Sequence, residues 1–199
     1  MPTTDPMIVT QRLIPAQMPI FTCNLSAHTE ALRLAREAID DLRAADPNPL
    51  TSNVKSVYVS PYSSQYLTPK FGPLSEIILH IARHVSKTFL SANMEALGLD
   101  YFVKDCWGII YEQADHTIPH NHYPAELSCS LYLEAEPNCA PLGFDNGFSV
   151  QPEPGLLVMF PGILTHYVPP TPGRRVVVAM NMFKKAHAKL LAPKSESSD

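Results

Sequence analysis

Apolar positions in the first hundred residues recur at helical spacing. Leu32, Ala35, Ile39 and Leu42 mark one face of a stretch over residues 26–45, while Glu30, Arg33, Arg36, Asp40 and Asp41 fall elsewhere. Ser26 offers a capping hydroxyl, and Pro47 with Pro49 ends the helix. A second stripe, Ile77, Ile78, Ile81, Val85 and Phe89, predicts a helix from about residue 73 or 75 to 97. On it Glu76, His80 and His84 stand one turn apart. Such a row can bind metal, but without an HExxH pattern it reads as a solvated face. Residues 57–59 read as a strand, followed by a Ser/Pro/Tyr-rich loop to Gly72. Residues 1–25 read as a leader contributing a strand or two, from Leu13-Ile14 and Ile20-Phe21.

Beyond residue 100 the period changes. Residues 101–103, 107–111, 127–133, 156–160 and 176–183 are short β-type runs, several of them separated by Gly, Pro, Asn and Asp. Helices first, then an all-β unit, predict a sandwich or barrel with the helices covering one sheet. The expected layout is a single domain over 1–199. Strands and helices fill 1–99, the β core 100–183, and a polar tail 184–199.

Composition narrows the class. The 199 residues are 45% hydrophobic and 17% charged, with a formal charge of −4, which fits a globular chain and disfavours nucleic-acid binding. The 20 prolines are scattered as turn punctuation rather than gathered in one tract. The four cysteines form no CxxC pair, no signal-peptide pattern opens the chain, and no apolar run is long enough to span a bilayer. These features predict free thiols in the cytoplasm and no membrane partner.

Histidines cluster once, in Asp115-His116-Thr-Ile-Pro-His120-Asn-His122. Positions i and i+2 of an extended chain share a face, so His120 and His122 can aim at one point. Imidazole suits Zn, Cu, Fe and Ni, although such a pair alone also fits a structural or surface role. His166 stands just past an apolar run ending in Pro161-Gly162, and Arg174 and Arg175 open the next run.

Together these pieces resemble the 2-oxoglutarate/Fe(II) dioxygenase superfamily, and within it a bacterial and phage subgroup with an HxH…H motif. The resemblance rests on His120-Asn-His122, Leu127-Ser-Cys-Ser-Leu-Tyr-Leu133, Pro154-Gly-Leu-Leu-Val-Met-Phe-Pro161, His166-Tyr-Val168 and Arg175-Val-Val-Val-Ala-Met-Asn181, in that order. It implies a double-stranded β-helix (jelly roll, cupin-like) and an oxygenase using Fe(II), 2-oxoglutarate and O₂. Such an enzyme hydroxylates a small-molecule or peptide substrate and releases succinate and CO₂. By position His120 and His166 are metal ligands, and His122 stands where most members carry a carboxylate. Arg175 and Tyr132 would bind the C5 carboxylate of 2-oxoglutarate.

His116 and Asn181 are possible substrate contacts or supporting residues, with a loop histidine and a structural amide as the plain alternatives. Glu112 and Asp115 could reach the site from a loop, while Trp107 and Tyr111 read as packing. Two rival functions remain open at this level: a three-His cupin-type dioxygenase that uses no 2-oxoglutarate, and a non-enzymatic jelly roll with a structural metal. Substrate identity and oligomeric state are not encoded in any pattern along the chain.

Overall fold

The computed structural model describes residues 17–145 and 147–186; the Leu13-Ile14 pair and residues 187–199 lie outside them. The strands are β1 (Phe21–Asn24), β2 (Val54–Lys55), β3 (Tyr58–Val59), β4 (Leu99–Tyr111), β5 (His116–His120), β6 (Leu127–Ala135), β7 (Leu142–Phe144), β8 (Ser149–Val150), β9 (Leu156–Pro161), β10 (His166–Val168) and β11 (Arg175–Ala186). The helices are α1 (Thr29–Ala45), α2 (Ser64–Leu67) and α3 (Gly72–Phe89). Six strands form a major sheet in the order β1-β9-β6-β11-β4-β3, and five form a minor sheet in the order β2-β5-β10-β7-β8. This is the expected double-stranded β-helix, and β1, β2 and β3 from the first half complete its edges.

Two apolar cores explain the unbroken hydrophobic run of β11. Its outer-facing Val176, Val178, Met180 and Met182 pack with Ala35, Ile39, Leu74 and Ile78 of the helices. The inner-facing Val177 and Ala179 pack with Trp107, Ile109, Phe144 and Phe160 between the sheets. A strand covered on both faces loses its polar alternation. Helix α1 approaches closely because it buries mainly alanines, Ala31, Ala35 and Ala38, with Ile39 seated over Gly108. A Cβ on Gly108 would lie 2.3 Å from Ile39 Cγ1.

Several boundaries differ from the pattern reading. Helix α1 begins at Thr29 rather than Ser26, because Asn24 Oδ1 accepts from the Ser26 amide and makes a turn there. Residues 60–72 are not simply a loop: α2 and a 3₁₀ turn, Pro69–Phe71, occupy them. Helix α3 stops at Phe89, eight residues before Leu97, and Ser91 follows with φ +52°. Its buried face is Leu74, Ile78, Leu79, Ala82, Val85 and Ser86, leaving Phe89 63% exposed. Glu76, His80 and His84 are exposed, as a solvated face requires.

The runs 101–103 and 107–111 are one 13-residue strand with a register shift opposite Asn181/Met182. Val57 lies outside β3, and β11 continues through Lys184–Ala186, which therefore do not belong to a tail. All four cysteines are free thiols. No described helix is long and apolar enough to cross a membrane.

Candidate metal centre

Strand pairing assembles the site. β10 lies between β5 and β7, with His166 directly opposite His120 on one side and Phe144 on the other. His122 is not on an extended strand, as the i, i+2 argument assumed; β5 ends at His120. A tight turn carries it instead: the His122 amide donates to Gly162 O at 2.7 Å and the Ala125 amide to His122 O at 2.8 Å. A Cβ on Gly162 would stand 2.2 Å from Ala125 O, so this turn packs only against glycine.

The three imidazoles converge. Their ring centroids are 4.4–5.0 Å apart, and one ligating nitrogen from each lies within 4.8 Å of the others. His120 Nδ1–H donates to Ile118 O at 2.9 Å and His166 Nδ1–H to Leu164 O at 3.0 Å. A carbonyl only accepts, so both rings carry the proton on Nδ1 and keep the Nε2 lone pair free for a cation. Phe160 and Phe144 pack on the His166 ring, and Trp107 meets His122 edge-on.

Burial disfavours the imidazolium form of all three. It lowers the His120 pKa, although its bond to Ile118 opposes the shift. Burial, then the neighbouring histidines, brings His122 to about 3, and burial with His120 brings His166 to about 4. At neutral pH the triad is three neutral donors, the form a metal requires. Among the described residues these are the histidines, cysteines and carboxylates that could share one ion. Glu112 and Asp115 do not join them: Glu112 pairs with Arg174, and Asp115 accepts from the Val57 and Glu112 amides.

Inward from the triad runs a narrow cavity of about 40 Å³, with Arg175 at its wall. Arg175 is 1% exposed. Its Nη1 donates to Ala140 O at 2.7 Å, its Nε has no partner, and no ion pair involves it among the described residues. The guanidinium carbon lies 4.4 Å from the Tyr111 ring centroid and 5.8 Å from that of Tyr132. The Tyr132 hydroxyl is buried on the same cavity without a partner among the described residues, and burial raises its pKa. Arg174 faces the other way, to Glu112 and Glu134. A buried guanidinium without a counter-charge and a buried hydroxyl without a partner are costly unless an anion joins them. The donor set therefore fits a carboxylate beside a cation held by three imidazoles.

Outward, a cleft of about 360 Å³ shares Val54, Trp107, His120 and His122 with the cavity and adds Asn181. Asn181 Oδ1 accepts from the Ser128 hydroxyl at 2.8 Å, and its Nδ2 donates to Asp105 at 3.1 Å. His116 pairs with Lys55 across β2 and β5 and lines neither space. Trp107 and Tyr111 pack in the inner core, as the sequence suggested, and both also line the cavity. The signal for them was available in principle. Residues 105, 107, 109 and 111 share one face of β4, opposite Asn181, Ala179, Val177 and Arg175 of β11. Thr117, whose hydroxyl bonds that of Tyr111 at 2.6 Å, carried no such signal.

No family model and no curated protein matches the sequence. Solved structures are similar to it. A prolyl-4-hydroxylase from Pseudomonas putida aligns at 16% identity and TM-score 0.58, over 83% of this chain and 92% of that one. The α-ketoglutarate-dependent epimerase SnoN of nogalamycin biosynthesis aligns at 11% and 0.61, over 90% and 86%. HygX from Streptomyces hygroscopicus, with nickel and 2-oxoglutarate bound, aligns at 11% and 0.57, over 86% and 83%. The chain has the double-stranded β-helix of the non-haem 2-oxoglutarate oxygenases, and at these identities the likeness is one of fold.

Proposed function

We propose that this chain is an Fe(II)- and 2-oxoglutarate-dependent oxygenase, with His120, His122 and His166 as metal ligands and Arg175 and Tyr132 as the binding groups for the co-substrate. One observation carries the reading: a buried guanidinium with no ion pair among the described residues and a free Nε–H shares a cavity with three neutral, convergent imidazoles. A keto-diacid satisfies both ends. Its far carboxylate matches the fork of Arg175 and the hydroxyl of Tyr132, while its near end reaches the cation. Three neutral ligands leave the full charge of a divalent ion uncompensated, which favours a dianionic co-substrate.

Ferrous iron with 2-oxoglutarate supplies O₂-driven conversion of a substrate C–H to C–OH, with the keto acid leaving as succinate and CO₂. The chain's own residues do the positioning. The Ile118 and Leu164 carbonyls hold His120 and His166 in the ligating tautomer. Leu142, Val168 and Val177 wall the cavity against water, and Phe144 and Phe160 back the His166 ring. The outer cleft is the place for the substrate, a small molecule or peptide segment.

The test is succinate formation by the iron-loaded chain. His120→Ala should bind no iron and make no succinate; succinate at the wild-type rate from that variant would remove the assignment. The all-histidine triad favours a second reading, a three-His dioxygenase without 2-oxoglutarate. Under it, the buried Arg175 would need a substrate carboxylate instead, and product would form in the absence of 2-oxoglutarate.

A further inference from the structure

The inner face of the major sheet is charge-ordered. Paired residues of β11 and β4 run Arg175/Tyr111, Val177/Ile109, Ala179/Trp107 and Asn181/Asp105. Six residues of strand span roughly 20 Å, so a cation marks one end of this floor and a carboxylate the other. His120 and His122 border both spaces between them, and His166 borders the inner one.

Half of the described acids are neutralised by an ion pair, and Asp105 is not one of them. Glu30, Glu37, Asp41, Asp100, Glu126 and Glu134 all form ion pairs. Asp105 forms none among the described residues and accepts from the Asn181 amide. The neighbouring Lys104 lies over the Phe183 ring at 4.6 Å, and among the described residues neither Lys nor Arg lines the outer cleft. Next to Asp105 in the cleft, Tyr62 and Trp107 meet edge-to-face at 4.9 Å. Two donors on cleft residues are buried without acceptors among the described residues: the indole N–H of Trp107 itself, a residue only 4% exposed, and Nδ2 of Asn53.

The geometry points to an amine-bearing substrate for the outer cleft, its ammonium held by Asp105 against the Tyr62–Trp107 corner and an oxygen acceptor met by Trp107 Nε1 and Asn53 Nδ2. A carboxylate beside aromatic faces is a cation site, and the two unpaired donors call for a carbonyl or hydroxyl on the same molecule. Anionic substrates are disfavoured at Asp105, so the same polarity sorts the two ligands, with the diacid inward and the amine outward. This inference rests on the oxygenase reading for its substrate role, while the cation preference is a property of the cleft itself.

Trp107 is the single tryptophan of the chain, so its fluorescence reports the cleft directly. Benzylammonium, benzyl alcohol and benzoate, matched in size, are titrated into the full chain. Benzylammonium should bind roughly ten-fold more tightly than benzyl alcohol, with benzoate weaker still. Asp105→Asn should erase that ranking and Asp105→Glu should keep it, with thermal melting confirming that each variant is folded. Equal affinities for the three probes in the wild-type chain, or a ranking that survives Asp105→Asn, would overturn the inference; the wild-type ranking decides even if a variant fails to fold. Succinate formation separates the two claims. Succinate without a cation preference removes the amine assignment alone, and a cation preference without succinate removes the oxygenase reading alone.

Discussion

A guanidinium sealed at 1% exposure with no ion pair among the described residues lowers stability in the ligand-free chain. Its retention makes sense if an anion completes it. Arg175→Met, a substitution of similar length, should therefore raise the melting temperature of the apo chain, by about 2–4 °C for each ~1 kcal/mol recovered. The same variant should weaken 2-oxoglutarate binding by about ten- to a hundred-fold while leaving iron binding intact. Calorimetry and metal analysis check the two arms; a large fall in apo stability would mean that Arg175 serves the fold. Tyr132→Phe removes a hydroxyl that has no partner among the described residues. It should leave apo stability within about 0.5 kcal/mol and weaken the co-substrate by a few-fold.

At the scale of elements, two glycines set close approaches. Gly162→Ala should push the 122–125 turn off β9 and weaken iron binding, about ten-fold or more, because His122 rides on that turn. Unchanged iron affinity would detach His122 from the metal. Gly108→Val drives a side chain into Ile39 of α1, and overpacking should cost about 1–3 kcal/mol in denaturant unfolding. Helix α3 is tied to β4 by Arg83 and Asp100, 2.7 Å apart, and the bond from Arg83 holds the Asp100 carboxyl below its usual range. A carboxyl depressed in the folded state stabilises above its unfolded pKa and loses that contribution as pH falls through the folded value. With the arginine 41% exposed the effect is small. Asp100→Asn should cost about 0.5 kcal/mol at pH 7, and wild type and variant should converge in acid below the carboxylate range.

Across the whole molecule, two cores back one central sheet: the helices seal its outer face, and the minor sheet encloses the site on its inner face. Much of this was legible. Short apolar runs after two amphipathic helices gave the layering, and the ordered histidines and Arg175 gave the candidate site. The errors have physical causes. Propensity could not stop α3 at Phe89, because Ala92–Leu97 carries no proline or strong breaker before Gly98. Nor could it place His122 off the strand, since that depends on Gly162 approaching from a distant segment. The outer cleft was invisible because it depends on which strands pair.

Anaerobic titration of the ferrous full chain with 2-oxoglutarate, followed by visible absorption, tests the central claim most directly. A metal-to-ligand charge-transfer band should grow to saturation at one equivalent, and Arg175→Met should shift that curve to about ten-fold or more higher concentration. An iron-loaded chain that develops no band, or a band whose midpoint ignores Arg175, would contradict the account.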